Sequence, residues 1–253
     1  MSTDRLAGEL AFHDDQARRR ARDLSAANDL RFDDHSYLDH ETWIRPAFAR
    51  LQPLAGKSVL DYGCGHGMAS VVLARQGARV TALDLSAGYL GEVARRALAN
   101  EVDVKLVQAD GERLPFADSS FDRVWGNAVL HHLDVGRAAR ELWRVLRPDG
   151  VAVLCEPWGE NPLLHWARRW LPYPGKARTV EERPLRLRQL GALREVFPAL
   201  EVEGYQFLSM VRRVLGRGRL SDGLEWCDRR LLRSWPALGR FCRYVVLTLR
   251  RPG

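Results

Sequence analysis

The sequence predicts an α/β protein whose core is a doubly wound, mostly parallel sheet. Short apolar strands alternate with amphipathic helices between residues 57 and 156, a pattern typical of βαβ units. The first strand leads into DYGCGHG (61–67), in which glycine occupies every second position from Gly63. The second strand ends in an acid, Asp84. These observations predict helices on both faces of the sheet and a ligand site at the carboxyl ends of its strands.

Each element of this central region follows from its own local pattern. Ser86 can cap one helix, and Pro148-Asp149-Gly150 predicts the end of another. Helical spacing predicts helices at residues 69–76, 86–100 and 135–146. Apolar runs predict strands at residues 59–61, 79–84, 102–108, 121–125 and 151–155.

The regions before and after this alternation have a different character. Residues 1–55 show helical spacing with few helix-breaking residues, so we predict an N-terminal helical cap there and the main domain at residues 56–253. After Glu156 the alternation stops. Five prolines and three tryptophans within residues 157–184 predict a cap insert that follows the fifth strand.

The C-terminal part predicts the remaining elements of the sheet. Residues 185–196 return to helical spacing. Residues 200–208 and 244–249 predict two strands that close the sheet as an antiparallel pair. Between them, residues 220–241 form an amphipathic stretch that is rich in arginine.

Composition sets the class of protein. The 253 residues are 46% hydrophobic, which is ample for one large domain with an added cap. No apolar run approaches the roughly 20 residues of a membrane span, and the charged N-terminus lacks an apolar signal core. The four cysteines show neither a CxxC pair nor a zinc spacing. We therefore expect a cytoplasmic protein with reduced thiols.

The net charge of +7 is unevenly distributed. Residues 1–150 carry 20 Lys and Arg against 22 Asp and Glu, whereas residues 151–253 carry 19 against 10. The basic C-terminal part is suited to an anionic substrate, an acidic membrane surface or nucleic acid, or it is a solvated surface. Arginines interleaved with apolar residues in the stretch 220–241 also suit peripheral membrane contact.

Five segments follow one another in a recognisable order and spacing over about residues 55–157. They are DYGCGHG (61–67), TALDLS (81–86), QADGERLPFADSSFDRVW (108–125), NAVLHHLDV (127–135) and LWRVLRPDGVAVLCEP (142–157). Together they resemble the class I S-adenosylmethionine-dependent methyltransferases. The resemblance implies a Rossmann-like, seven-stranded mixed sheet with the last strand antiparallel, and S-adenosyl-L-methionine as cofactor. A nicotinamide or flavin dehydrogenase would instead carry GxGxxG, which GCGHGM (63–68) does not match.

The resemblance also implies which residues hold the cofactor. Alternate glycines let a ligand approach the backbone closely. In the family, the acid that matches Asp61 contacts the amino end of the cofactor, Asp84 would bind both ribose hydroxyls, and Asp110 would meet the adenine amine. The full predicted set is Asp61, Gly63, Cys64, Gly65, Gly67, Asp84, Leu85, Asp110, Gly111, Glu112 and Asn127.

Two adjacent histidines are candidates for the chemistry. Methyl transfer from a sulfonium chiefly requires alignment and exclusion of water, and it needs a base only when the nucleophile holds its proton tightly. In several small-molecule O-methyltransferases of this class, a histidine of the LHH segment is the base. The resemblance therefore implies His132, or else His131, as general base, and Glu156 as the residue that orients it or contacts substrate. The alternative is a structural role for all three. Adjacent histidines do not easily share one ion, so we expect no metal.

The flanks predict the acceptor. Aromatic residues there can form an apolar, planar pocket or pack in the core: Phe12, Tyr37, Trp43, Trp158, Trp166, Trp170 and Tyr173. We expect methyl transfer to a small hydrophobic metabolite, on oxygen in preference to nitrogen or carbon, by a monomer or homodimer. The alternatives are a tRNA or nucleic-acid methyltransferase that uses the basic C-terminal third, or a non-catalytic cofactor-binding partner subunit. No RNA-binding module and no NPPY or paired-cysteine signature supports nucleic acid as a partner.

Overall fold

The computed structural model describes residues 3–23, 30–164, 166, 184–212, 216 and 218–253. Most of the predicted insert at residues 157–184, including Trp170 and Tyr173, lies outside the described residues.

Seven strands form a single mixed sheet in the order β3-β2-β1-β4-β5-β7-β6. The strands β1 to β5 are parallel, and β7 runs antiparallel to both β5 and β6. This confirms the predicted doubly wound sheet and its antiparallel last strand. The strands are β1 (Ser58–Tyr62), β2 (Arg79–Asp84), β3 (Val104–Gln108), β4 (Phe121–Asn127), β5 (Leu146–Pro157), β6 (Glu201–Tyr205) and β7 (Tyr244–Arg250).

Helices flank the sheet close to the predicted positions. The capping serine is confirmed, because the Ser86 hydroxyl accepts a hydrogen bond from the amide of Tyr89 at the start of the fifth helix. The described helices are α1 (Thr3–Asp23), α2 (Asp34–Leu38), α3 (Ile44–Ala49), α4 (Met68–Arg75), α5 (Ala87–Ala99), α6 (Val135–Val145), α7 (Leu190–Val196) and α8 (Arg219–Ser234).

The largest differences from the predicted boundaries are at two elements, and β6 also ends earlier than predicted, at Tyr205. The predicted helix at residues 185–196 begins only at Leu190, after a 3-10 turn at Leu187–Gln189. The strand β5 begins at Leu146, directly after α6, and therefore includes the predicted stop signal. Asp149 within it adopts a left-handed φ of 61°, and the register with β4 shifts in this part of the strand, as a bulge requires.

Both faces of the sheet carry an apolar core, and the N-terminal helices α2 and α3 belong to one of them. Phe48 is 3% exposed and packs edge-on against Trp125 of β4, with ring centroids 4.4 Å apart. Trp43 stacks on Tyr244 of β7 at 3.8 Å. The segment before β1 therefore helps to cover the sheet. The domain boundary at residue 55 stays a prediction.

The amphipathic C-terminal stretch forms α8 and a following 3-10 segment, Pro236–Phe241. Trp226 is 51% exposed, and the Arg230 guanidinium lies 4.2 Å from its ring centroid. Peripheral membrane contact and nucleic-acid contact by this basic region stay predictions. Among the described residues, no helix combines the length and the apolar character that crossing a membrane requires.

The packing of α3 can be tested by truncation. We expect Phe48→Ala to lower the free energy of unfolding by about 3–5 kcal/mol, because it opens a cavity against Trp125. Denaturant titration measures the change. The control Leu98→Ala, at a side chain that is 80% exposed, should stay within about 0.5 kcal/mol of the wild type. Equal effects of the two substitutions would contradict the placement of α3 in the core.

Candidate active site

A cavity of about 330 Å³ opens at the carboxyl ends of the central parallel strands. Asp61 of β1, Asp84 of β2 and Asn127 of β4 all line it. This is the place where the strand order reverses, because β1 lies between β2 and β4. Sheets of this type bind ligands at such a switch point. Nine of the eleven residues predicted to hold the cofactor line this cavity, and Gly67 and Glu112 do not.

The three glycines of the turn after β1 have different tasks. All three have positive φ angles, of 67° at Gly63, 49° at Gly65 and 80° at Gly67. A Cβ atom would lie 2.5 Å from the Val129 side chain at Gly63 and 2.7 Å from the Val93 side chain at Gly67. At Gly65 it would meet nothing within 4 Å. The open space for a ligand is therefore at Gly65, and the other two glycines allow close packing of the chain.

Asp84 is held in place by backbone amides. Its Oδ2 accepts a hydrogen bond from the Gly65 amide, and its Oδ1 accepts one from the Ser86 amide, each at 2.9 Å. Burial raises the pKa of this carboxyl, and the two amide hydrogen bonds counteract part of that rise. The carboxylate is thus fixed to the glycine turn on one side and to the start of α5 on the other.

Asp61 is the most deeply buried acid of the cavity, at 2% exposure. The Ser70 hydroxyl donates a hydrogen bond of 2.5 Å to its Oδ2. Burial raises the pKa of Asp61 to about 7, the Ser70 hydrogen bond opposes the rise, and the charge of nearby Asp84 adds to it. A cationic group in the cavity would favour the ionised form of Asp61.

The strand β4 contributes the opposite side of the cavity. The Oδ1 atom of Asn127 is buried and has no well-aligned hydrogen-bond donor in the described structure. Such an atom is open to a donor that a ligand brings. Ala128, the next residue, also lines the cavity and has a φ of 60°, a conformation that costs energy and is found more often at functional sites.

The third side of the cavity is formed after β3. Asp110 accepts a hydrogen bond of 2.9 Å from the Glu112 amide, and the Gly111 carbonyl accepts one of 2.7 Å from the Tyr62 hydroxyl. Leu85 lies in the lining too. The Glu112 carboxylate instead accepts a hydrogen bond of 2.8 Å from the amide of Asp134 at the start of α6. Its position therefore favours a structural role for its side chain.

The two candidate histidines occupy different environments. His132 lines the cavity. The His131 side chain is 3% exposed, and its Nδ1 lies 2.7 Å from Oε2 of Glu156. Glu156 is fully buried, and its Oε1 accepts hydrogen bonds from the amides of Val129 and Leu130 at 3.0 and 2.7 Å. Neither His131 nor Glu156 is among the lining residues, so their position is that of a support behind the turn that carries His132.

The helix α1, within the predicted N-terminal cap, contributes cavity residues that the sequence analysis did not single out. Glu9, His13 and Gln16 all line the cavity. Helical spacing places these three on one face, but nothing in the sequence relates that face to the glycine turn. Hydrogen bonds between α1 and α5 hold the helix in place: Asp14 with the Ser86 hydroxyl and Gln16 with the Tyr89 hydroxyl at 2.5 Å each, and Arg20 with Glu92 at 3.0 Å.

Of the aromatic residues predicted to form a substrate pocket, only Tyr37 lines the cavity among those that the structure describes. Trp43 and Trp158 are each 2% exposed and pack in the core, where the Trp158 indole donates to the Arg240 carbonyl at 3.1 Å. Trp166 is 59% exposed. These three tryptophans therefore do not form the predicted substrate pocket: two pack in the core and one is exposed at the surface.

Two further lining residues carry information about reactivity. Burial lowers the pKa of His66, in the glycine turn, to about 4, and two nearby arginines lower it further. This imidazole is therefore neutral near pH 7. Burial also raises the pKa of the Cys64 thiol well above its ordinary value. A protonated thiol is a poor nucleophile, so Cys64 contributes its backbone and its volume to the site.

Comparison with known proteins agrees with this geometry. Residues 60–154 match the family model described as a methyltransferase domain. A demethylmenaquinone methyltransferase from Clavibacter sepedonicus is 41% identical over 117 residues, which cover 46% of this chain and 47% of that protein. A malonyl-[acyl-carrier protein] O-methyltransferase from Pseudescherichia vulneris is 41% identical over 138 residues, which cover 54% and 53%. The chain spans about half the length of these curated relatives.

A solved structure extends the similarity of fold beyond the matched segment. The S-adenosylmethionine-dependent methyltransferase from Mesorhizobium loti aligns with a TM-score of 0.59 over 85% of this chain and 100% of that one, at 22% sequence identity. The sheet order, the cavity at the switch point and the family match define a Rossmann-like methyltransferase domain. As the motifs predicted, the chain is similar to class I S-adenosylmethionine-dependent methyltransferases, with the methyltransferase domain at residues 60–154.

The pKa of Asp61 makes cofactor binding testable by pH. An acid with a pKa of about 7 is mostly protonated at pH 6 and mostly ionised at pH 8. Because the ionised form attracts the positively charged amino group of the ligand, we expect the Kd for S-adenosylhomocysteine to fall about tenfold over this range. Titration calorimetry at several pH values measures it.

Asp61→Asn should remove this pH dependence, whereas Asp118→Asn, at an exposed acid outside the cavity lining, should retain it. A Kd for the wild type that stays constant between pH 6 and pH 8 would contradict a role for the Asp61 charge in binding.

Proposed function

We propose that this protein is a methyltransferase that transfers a methyl group from S-adenosylmethionine to a small hydrophobic metabolite, with oxygen as the acceptor atom. The observation that carries the proposal is the position of His132. It lines the same cavity as the acids Asp61 and Asp84, so a potential proton acceptor and a potential cofactor site share one cavity.

The residues present fit the cofactor. Gly65 leaves open space beside the backbone, and Asn127 offers a buried oxygen without an aligned donor. In our proposal Asp84 binds the ribose hydroxyls, Asp61 and Asn127 bind the amino-acid end, and Asp110 with Gly111 holds the adenine. When bound, S-adenosylmethionine supplies a methyl group on a positively charged sulfur, ready for in-line transfer.

The protein side of the reaction then has three parts. The cavity residues hold the methyl donor and the acceptor close together and reduce the water around them. His132 accepts the proton of the acceptor hydroxyl, since an imidazole can exchange protons near neutral pH. The His131–Glu156 pair supports the turn that carries His132, through the hydrogen bonds of Glu156 to Val129 and Leu130.

The relatives support the acceptor class. One of them is named for demethylmenaquinone and the other for O-methylation of malonyl-[acyl-carrier protein], so a quinone-type acceptor and transfer to oxygen both occur among the relatives. We infer a comparable acceptor for this chain, with Tyr37 and α1 beside it. The cytoplasmic location expected from the sequence stays a prediction; all four cysteines are free, which fits a reducing compartment.

Binding of the product analogue tests the core of the proposal. We expect S-adenosylhomocysteine to bind the wild type, and Asp84→Ala to weaken binding about tenfold to a hundredfold, because it removes the charged acceptor for two hydroxyl groups. Titration calorimetry on proteins whose fold is checked by circular dichroism gives both values.

The control Asp118→Asn should bind normally. Absence of binding by folded wild type, or identical affinities for the wild type and Asp84→Ala, would refute the assignment. Normal binding without turnover on a panel of phenols, quinols and carboxylates would instead favour a non-catalytic partner subunit.

The base is tested separately. We expect His132→Ala to lower kcat about a hundredfold or more while the Kd for S-adenosylhomocysteine changes little, since a base acts on the acceptor proton. Steady-state kinetics with the acceptor found in the panel measures the effect. His35→Ala, at a histidine on α2 whose side chain is 78% exposed, is the matched control. Full activity of His132→Ala would leave alignment alone as the source of catalysis.

A further inference from the structure

A buried carboxylate on α1 lies against the candidate base. The Oε2 atom of Glu9 is 3.3 Å from Nδ1 of His132 and 3.3 Å from Nε2 of His13. The rings of the two histidines meet edge to face, with centroids 5.3 Å apart. Glu9 is 7% exposed, and all three residues line the cavity. One possible metal-ligand atom from each of the three side chains lies within 4.8 Å of the other two, a spacing that could hold a cation.

The charge state of Glu9 is set by its neighbours. Burial alone would raise the pKa of the Glu9 carboxyl, but contacts with His13 and His132 outweigh burial and lower the pKa to about 2. The group is therefore a carboxylate near neutral pH. A buried carboxylate is stable only where donors face it, and among the described residues the imidazoles of His13 and His132 lie within 3.3 Å of it.

A carboxylate beside one ring nitrogen decides which tautomer the histidine adopts. An acceptor at Nδ1 keeps the proton on that atom, so that the lone pair resides on Nε2. The same carboxylate stabilises the imidazolium that forms when Nε2 takes up a proton. The 3.3 Å contact between Glu9 and His132 is not aligned as a hydrogen bond in this structure. Such contacts are often long or poorly aligned in unliganded enzymes and tighten once the substrate is bound.

We propose that Glu9 is a positioning residue, which selects the Nδ1–H tautomer of His132 and stabilises its protonated form. This inference rests on the proposed function. As an O–C bond forms between the acceptor oxygen and the methyl group, the bond between that carbon and the donor sulfur would break and leave its electron pair on sulfur. The O–H bond of the acceptor breaks, its electron pair stays on oxygen, and an N–H bond forms at Nε2 of His132. The resulting positive charge faces Glu9, and the proton later leaves to solvent. The docking of α1 on α5 is then a condition for catalysis, since it brings Glu9 to His132.

The other acids near the cavity that could orient a histidine have hydrogen-bond partners of their own. Asp61 and Asp84 are held by Ser70 and by the amides of Gly65 and Ser86. Glu156 is held by His131 and two backbone amides. The remaining titratable groups in the lining are Tyr37, Tyr62, Cys64, His66, Tyr89 and Asp110.

The first test reads the tautomer and needs no turnover. Long-range ¹H–¹⁵N correlation spectra of the unliganded protein, assigned with His132→Ala and His13→Ala, report which ring nitrogen of His132 carries the proton. We expect Nδ1–H in the wild type and a shift toward Nε2–H in Glu9→Gln. Asp15→Asn, which makes the same change at an exposed site of α1, should give the wild-type spectrum. An unchanged His132 tautomer in Glu9→Gln would overturn the proposal.

The second test reads the coupling between Glu9 and His132. Glu9→Gln should lower kcat about tenfold to a hundredfold, with the KM for S-adenosylmethionine within about twofold and Asp15→Asn unaffected. In the His132→Ala background, Glu9→Gln should cause no further loss, because its target is absent.

Equal losses in both backgrounds would overturn the proposal, as would turnover that EDTA abolishes and Zn²⁺ restores. A tautomer shift in Glu9→Gln with normal kcat would support the positioning by Glu9 and refute His132 as base.

Discussion

The position of β1 between β2 and β4 is the constraint on which the rest of the structure depends. The three strands are parallel, so their carboxyl ends meet at one edge, and the chain leaves β1 and β4 in opposite directions across the sheet. This leaves a crevice at that edge of the sheet. Asp61, Asp84 and Asn127 come together there although they lie on three different strands.

The cavity concentrates negative charge in a poorly solvated space, and each acid is stabilised differently. Asp61 relies on a serine hydroxyl and keeps a pKa of about 7. Asp84 relies on two backbone amides. Glu9 relies on imidazoles, and its pKa falls to about 2. A cavity with this charge favours a cationic ligand over a neutral one, which suits a sulfonium donor and disfavours retention of its neutral thioether product.

Much of the fold could be predicted because its signals are local. The alternation of strands and helices, the Ser86 cap and the antiparallel closing pair are all present in the structure. The predicted start of β5 at residue 151 was wrong. The strand begins at Leu146, because a Pro-Asp-Gly stop signal can also lie within a bulged strand. The glycine turn was predicted as a unit, yet only contacts distinguish Gly65, which faces open space, from Gly67, which packs on Val93.

The sequence by itself determined the sheet and the half of the cavity formed by the glycine turn and the strand ends, because a strand, its turn and the next helix form one contiguous segment whose geometry follows from its residues. Only the tertiary structure decided what closes the cavity. Glu9 and His132 are far apart in the chain and meet because α1 docks on α5, and Tyr37 lines the cavity while Trp43 is buried against β7. Such pairings depend on long-range packing, which residue type and spacing do not encode.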